Sequence, residues 1–272
     1  MTYPRRILIT NDDGIRAPGL AVLERVAHQL SDDVWVVAPQ SDQSGRGHAI
    51  TLNHPLRLNK VGDKHYSVEG TPTDCVTIAL ETLLKDNPPD IVLSGVNQGE
   101  NLGEHITQSG TIAAAMEATL HGIKAIAFSQ ATQEASKVEW GTAEKFAPRL
   151  IYELYKGKWL ENLLYNVNFP RRTTDQVEGI RVVPHGKRAK KSNMVECIDP
   201  RGKPYYWLGV LHEEENPSIN SDLWAVQNGY ISVTPLHMNL SHQETVERLT
   251  KTLTYDFIEK DLEMEREQPI AV

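Results

Sequence analysis

The chain has 272 residues, 40% hydrophobic and 24% charged, with a formal net charge of -8. That composition suits a folded globular chain. The acidic balance argues against a nucleic-acid polymer or a membrane surface as partner, since both call for a basic face. It leaves room for a small phosphorylated substrate, because a bound metal reverses the local charge. No run reaches the roughly 20 apolar residues of a membrane span. Cys75 and Cys197 lie far apart and neither has metal-type spacing. Two free thiols and an N-terminus without an apolar leader read as a cytoplasmic protein.

Arg6–Thr10 is a short run of branched apolar residues and reads as a buried strand. Asn11-Asp12-Asp13-Gly14 follows it, and then Gly19 to Leu30 carries Leu20, Leu23, Val26, Ala27 and Leu30 at helical spacing. Val34 to Pro39 is a second strand, closed by proline, and Gln40 to Gly47 is a polar loop at its carboxyl end. Ile50 to Val68 reads as extended pieces broken by turns, arranged as a hairpin. Thr71-Pro72-Thr73-Asp74 opens a helix with a capping box and a proline in the first turn, running through Leu83 and closed by Pro88-Pro89.

Asp90 to Val96 is a third strand, and Asn97 to Gly110 a third polar loop. Thr111 begins an alanine-rich helix. Lys124–Ser129 is a strand, Trp140–Lys156 a helix and Leu163–Phe169 a strand. Alternation of this kind predicts an α/β fold with a mainly parallel sheet. After about Arg171 the pattern changes. Val177–Pro184, Pro204–Val210 and Gly229–Pro235 read as strands, Gly186–Lys191 as a basic loop, Glu213–Asp222 as a polar loop and Glu244–Leu262 as a terminal helix. The expectation is one domain over 1–272. Residues 1–170 form its core, and 171–272 form an α+β hairpin arm with a C-terminal helix.

The chemistry gathers at strand ends. Asp12 and Asp13 are adjacent carboxylates that repel each other and resist desolvation, and a divalent cation removes both problems. The plain alternative is a turn or helix cap, where Asp and Asn are common. Ser44 and Asn97 stand on the loops after the next two strands, and in a parallel sheet those loops share one edge. Two carboxylates, a hydroxyl and a carboxamide form an oxygen-donor set suited to Mg²⁺ or Mn²⁺ rather than zinc. Ser109-Gly110-Thr111 opens a helix. It reads either as an anion site built on free amides or as ordinary N-capping. A metal site and an anion site on one edge together describe phosphate-ester hydrolysis.

These residues belong to longer blocks: Thr10-Asn11-Asp12-Asp13-Gly14-Ile15, Gln43-Ser44-Gly45, Gly70-Thr71-Pro72-Thr73-Asp74-Cys75, Ser94-Gly95-Val96-Asn97, Asn101-Leu102-Gly103 and Ser109-Gly110-Thr111. In that order they resemble the survival protein SurE family of metal-dependent 5′/3′-nucleotidases. Asn166-Val167-Asn168 and Ser232 to Leu236 extend the likeness weakly into the second half. The resemblance implies a Rossmann-like three-layer α/β domain with a C-terminal arm used in oligomerisation, giving a homodimer or homotetramer. It implies one divalent cation per subunit on Asp12, Asp13, Ser44 and Asn97. Asn101, Ser109, Gly110 and Thr111 would hold the substrate phosphate, and Asp12 and Asp13 would be catalytic. The implied substrates are nucleoside monophosphates, with short polyphosphate for some members. Departures such as Gln40-Ser41-Asp42 bear on substrate preference rather than reaction type.

Two rival classes remain: a nucleoside hydrolase, and a nucleotide-sensing module without turnover. Arg46 and His48 read as solvated loop charges, Lys187 to Lys191 as a solvated run, and Cys75 as a small apolar packer. His237 has the chemistry of a proton donor. It lies in the expected arm, from which it would reach a site in an oligomer.

Overall fold

The computed structural model describes residues 3–132, 138–188, 194–208 and 217–253. Five branched apolar residues make β1 (Arg6–Thr10). Its side chains alternate: Ile7 and Ile9 enter one core cluster and Leu8 the other. Helix α1 (Pro18–His28) leads to β2 (Asp33–Pro39). The expected hairpin is β3 (Leu58–Gly62) with β4 (His65–Val68), antiparallel to each other, and β4 runs parallel to β2.

Helix α2 (Pro72–Ile78) has the capping box read from the sequence: Asp74 N–H donates to Thr71 Oγ1, and Thr71 N–H donates to Asp74 Oδ2 at 2.8 Å. It passes into a π-helical turn, Ala79–Leu83, and so ends before Pro88-Pro89. Strand β5 (Ile91–Gln98) is longer than expected and takes in Asn97, because the register shift between Ser94 and Asn97 lets pairing with the next strand resume at Asn97–Ser129.

Next come α3 (Gly110–Leu120), β6 (Lys124–Gln130), α4 (Trp140–Lys156) and β7 (Leu163–Phe169). The second half supplies β8 (Gly179–Val182), β9 (Met194–Ile198), β10 (Pro204–Leu208), α5 (Asp222–Gln227) and β11 (Tyr230–His237). Neither β9 nor α5 was legible beforehand: β9 mixes polar and apolar residues, and α5 is six residues long. Of the expected Gly186–Lys191 loop, residues 189–191 lie outside the described residues, as do residues 213–216 of the Glu213–Asp222 loop and everything after Leu253.

Nine strands form one sheet in the order β3-β4-β2-β1-β5-β6-β7-β11-β8, while β9 and β10 form a separate antiparallel pair. From β4 to β7 the strands are parallel, apart from the β3 edge. β11 runs antiparallel to β7, and β8 is parallel to β11. Two strands from beyond residue 170 therefore complete the sheet begun by the first half. Helices α1 and α4 cover one face around Ile7, Ile9, Leu93 and Phe128, and α2 and α3 the other around Leu8, Val92 and Ala127. The chain divides into a unit through Met238 and a second unit from Asn239, which contains α6 (Gln243–Leu253). No helix among the described residues is long and apolar enough to cross a membrane.

Candidate phosphate and metal site

Strand order reverses at β1. The chain first builds leftward to β2 and β4, then returns to add β5 on the other side. The crevice beyond the carboxyl ends of β1 and β5 is thus the topological switch point, where ligands bind in open α/β sheets. Asp12 and Asp13 follow β1, and Asn97 stands at the end of β5.

The turn carrying the aspartates is held by its own residues. Asn11 Nδ2 donates to Gly14 O at 3.0 Å, and Gly14 N–H donates to Asn11 Oδ1 at 3.2 Å. Gly14 has φ near +101°, a conformation that glycine adopts without steric cost. Hydrogen bonds then tie the other loops to this turn. Gln43 N–H donates to Asp12 O at 2.8 Å, and Gln98 N–H to Asp13 Oδ2 at 3.2 Å. Gly47 N–H donates to Gln108 O at 2.9 Å.

Asp12 is 4% exposed. Its Oδ1 accepts from the buried Thr111 hydroxyl. Gly110 presses against the same carboxylate: a Cβ there would lie 2.8 Å from Asp12 Cβ and 3.0 Å from Oδ2. Ser109 caps α3, its Oγ accepting from Ile112 N–H at 3.2 Å. The capping reading of Ser109 therefore holds, and the first amides of α3 start beside Asp12. Asn101 is buried and fixed from three sides. Its N–H donates to Asn168 Oδ1 at 2.8 Å, its Nδ2 donates to Ser129 Oγ at 2.8 Å, and its carbonyl accepts from Asn166 Nδ2 at 2.8 Å. That explains the Asn-Val-Asn block of β7.

The remaining residues fall as follows. Ser44 is exposed, and its hydroxyl donates to Asp42 Oδ1 at 2.6 Å. Asn97 Nδ2 donates to Gly99 O at 2.8 Å. His48 is not a free loop charge: its Nε2 lies 2.9 Å from Glu117 Oε2 on α3. His237 ends β11 opposite Leu163, the first residue of β7, so within this chain it sits at the sheet edge away from the aspartates. Cys75 is buried in the α2–α3 core. Asp42 and Asp222 escaped the sequence reading. Asp222 is fully buried and accepts from Gly103 N–H at 2.9 Å and Gly186 N–H at 2.7 Å, fastening the loop after β5 to the second half. Only Ser221, a capping serine just before a short apolar run, signalled it.

Electrostatics give the site its character. Burial pushes the Asp12 carboxyl above its ordinary value against the Thr111 hydrogen bond, with Asp42 adding repulsion. Burial, then the neighbouring Asp12 charge, pushes Asp13 up to about 7. Among the described residues no positive charge near enough to shift either pKa offsets these two carboxylates, and a divalent cation would supply a counter-charge. No group of three His, Cys, Asp or Glu side chains suited to a metal occurs among the described residues. A set with only two carboxylates, completed by a hydroxyl and a carboxamide, is compatible with that. The donors are all oxygen and suit a hard cation.

A three-layer α/β fold with paired carboxylates and a helix N-terminus at its switch point is the architecture of an anion-handling, cation-assisted enzyme. The survival protein SurE family model matches residues 7–192, and the chain belongs to that family. It is 50% identical over 255 residues to the 5′-nucleotidase SurE of Parvibaculum lavamentivorans, covering 93% of this chain and 92% of that one. It is 49% identical over 256 residues to the 5′-nucleotidase SurE of Paramagnetospirillum magneticum, covering 92% and 98%. The crystal structure of the SurE protein from Aquifex aeolicus superposes with a TM-score of 0.81 at 38% identity, covering 90% of this chain and 98% of that one.

Proposed function

We propose that this chain is a 5′-nucleotidase that hydrolyses nucleoside monophosphates to nucleoside and phosphate. The observation that carries the reading is a pair of adjacent carboxylates with raised pKa values, Asp12 buried against the N-terminus of α3 and Asp13 half-buried beside it. The named relatives support the same activity.

Asp12, Asp13, Ser44 and Asn97 are the residues that would hold one Mg²⁺ or Mn²⁺. When bound, such a cation supplies Lewis-acid polarisation of a phosphoryl oxygen and lowers the pKa of a water. The chain's own residues do the rest. Thr111 fixes the Asp12 carboxylate, and Gly110, lacking a Cβ, lets the start of α3 pack directly against it. The Ser109 hydroxyl proton, the first amides of α3 and the Asn101 carboxamide hold phosphate oxygens as charge builds on them. Asp12 is locked by Thr111, so orienting the attacking water and taking its proton falls to Asp13. The exposed apolar side chains of β9 and β10, among them Val195, Ile198, Tyr206, Trp207 and Leu208, support pairing with a second subunit as a homodimer or homotetramer.

The test is a phosphate-release screen over 5′- and 3′-nucleotides and short polyphosphate with a series of divalent metals, with free base measured in parallel. Phosphate release dependent on Mg²⁺ or Mn²⁺ is expected. Release of free base from nucleosides identifies a nucleoside hydrolase instead. Nucleotide binding without turnover under excess metal identifies a sensing module. Light scattering of the eluting protein reads the subunit number.

A further inference from the structure

Beyond the carboxyl ends of β5, β6 and β7 lies a cavity of about 130 Å³. Adjacent strands are about 4.8 Å apart, so it stands one to three strand spacings along the sheet edge from the aspartate turn. Its lining continues directly from the site: Glu100 and Leu102 flank Asn101, and Ala131 follows the last residue of β6. Leu102, Leu223 and Val226 are buried and give it apolar walls, while Arg171 and Arg172 stand exposed at its mouth.

One polar wall is unusual. The Arg188 side chain is only 9% exposed, yet its buried Nε–H has no hydrogen-bond acceptor among the described residues. Glu100 Oε1 lies 3.6 Å from its Nη2, near enough to balance the charge but not to accept a hydrogen bond. The buried Nε–H of the planar fork is thus left short of an acceptor rather than short of negative charge. Buried donors without acceptors are costly, so the arrangement points to a ligand that supplies them.

We propose that this cavity seats the base of the nucleotide whose phosphate lies at Asp12, Asp13 and the N-terminus of α3, with Arg188 reading the base edge. The proposal rests on the phosphatase reading above. A nucleobase offers two flat apolar faces for the leucine and valine walls and an edge of nitrogen and oxygen acceptors for a guanidinium. The separation between cavity and aspartates leaves a place for the ribose between them. A second phosphate would gain nothing from apolar walls and would be drawn to the exposed arginines at the mouth.

The test compares kcat/KM for guanosine 5′-monophosphate and adenosine 5′-monophosphate with that for phenyl phosphate, at saturating Mn²⁺. The enzymes are the wild type, Arg188→Met, which keeps the volume and removes the donors, and Val226→Trp, which fills the cavity. The nucleotide-to-phenyl-phosphate ratio is expected to fall about tenfold or more in each variant. A purely structural role for either residue lowers all activities together and leaves the ratio unchanged, and an unchanged ratio in both variants overturns the proposal. It is also overturned if inorganic pyrophosphate competes with the wild type, loses that effect in Arg188→Met, and adenosine never competes. Wild-type enzyme that releases phosphate from none of these esters overturns the phosphatase reading instead. The cavity is then tested by calorimetry with adenosine, whose binding is expected in the wild type and lost in Val226→Trp; no binding to the wild type overturns it.

Discussion

The two edges of one sheet treat their carboxylates in opposite ways. At the amino edge Asp33 opens β2. Its Oδ2 accepts from Arg6 Nε at 2.6 Å, and its Oδ1 accepts from Lys64 Nζ at 2.8 Å and Trp35 Nε1 at 3.0 Å. Burial works to raise its pKa, but the Lys64 and Arg6 hydrogen bonds outweigh it and hold the carboxyl below its ordinary value. At the carboxyl edge Asp12 and Asp13 face burial with a third carboxylate, Asp42, nearby, and both are raised. The chain can pair a carboxylate with cations and does so where only the fold is at stake. At the switch point it leaves the pair uncompensated, which a resident ligand would be expected to correct.

Exchanging one carboxylate at each edge breaks the comparison most directly. Asp13→Asn is expected to lower phosphate release by more than about 100-fold, beyond what losing an outer-shell partner of a metal site costs, and to leave the metal-free melting temperature unchanged or higher. Asp33→Asn should keep activity and lower the melting temperature by about 2–4 °C, for roughly 1 kcal/mol of lost ion pairing. Full activity in Asp13→Asn sinks the proposed mechanism.

pH separates the edges next. Asp13 has a folded pKa of about 7 against 3.8 unfolded, so the folded state binds the extra proton between those values. Its contribution to stability is complete below pH 4 and lost as pH rises through about 7. Asp33 has the opposite sign: its contribution is present above its unfolded pKa and is lost as pH falls below it. Metal-free protein should therefore soften from pH 5 to pH 8, and Asp13→Asn should make that slope shallower, with Asp12 supplying the rest. Mn²⁺ at 100 times its Kd adds about 2.7 kcal/mol, and its thermal shift should be larger at pH 8 than at pH 5. Equal shifts at both pH values would show that Asp13 does not meet the metal.

Much of this contrast was legible in the residues. Strand ends after branched apolar runs placed Asp12, Asp13 and Asn97 on one edge, and helical spacing, with one capping box at Thr71, placed most helices to within a few residues. Three things were not legible. Asn97 was read as loop because a register shift inside β5 has no sequence signal. Asp222 and the asparagines of β7 act through contacts spanning 36 or more residues, which periodicity does not report. His48 was read as solvated because its partner, Glu117, lies on another element.

Close packing inside the carboxyl edge comes next in size. Gly110→Ala puts a Cβ against Asp12, where neither the Thr111-bound carboxylate nor the helix start has room to yield. A misplacement of about 1 Å can cost 100-fold in rate, and a loss of roughly 10–100-fold in kcat is expected. Unaltered kcat would show that the phosphate does not lie in this cradle.

The smallest effect belongs to the tie between the Ser44 loop and α3. His48 holds Glu117, whose other oxygen accepts from Thr77 Oγ1 at 3.0 Å. The His48 hydrogen bond, then burial working against it, sets the Glu117 pKa, which ends below the ordinary value. The loop keeps two further ties, from Gln43 to Asp12 and from Gly47 to Gln108, so losing His48 removes one of three. One such bond is worth about 1 kcal/mol, which corresponds to roughly fivefold in an equilibrium constant. His48→Gln should raise the Mn²⁺ concentration for half-maximal activity by up to that factor while kcat holds, because Ser44 is on this loop and the phosphate cradle is not. Arg46→Ala, two residues away, should change neither. If His48→Gln lowers kcat and leaves the metal requirement alone, the loop serves the substrate rather than the cation, and Ser44 leaves the ligand set.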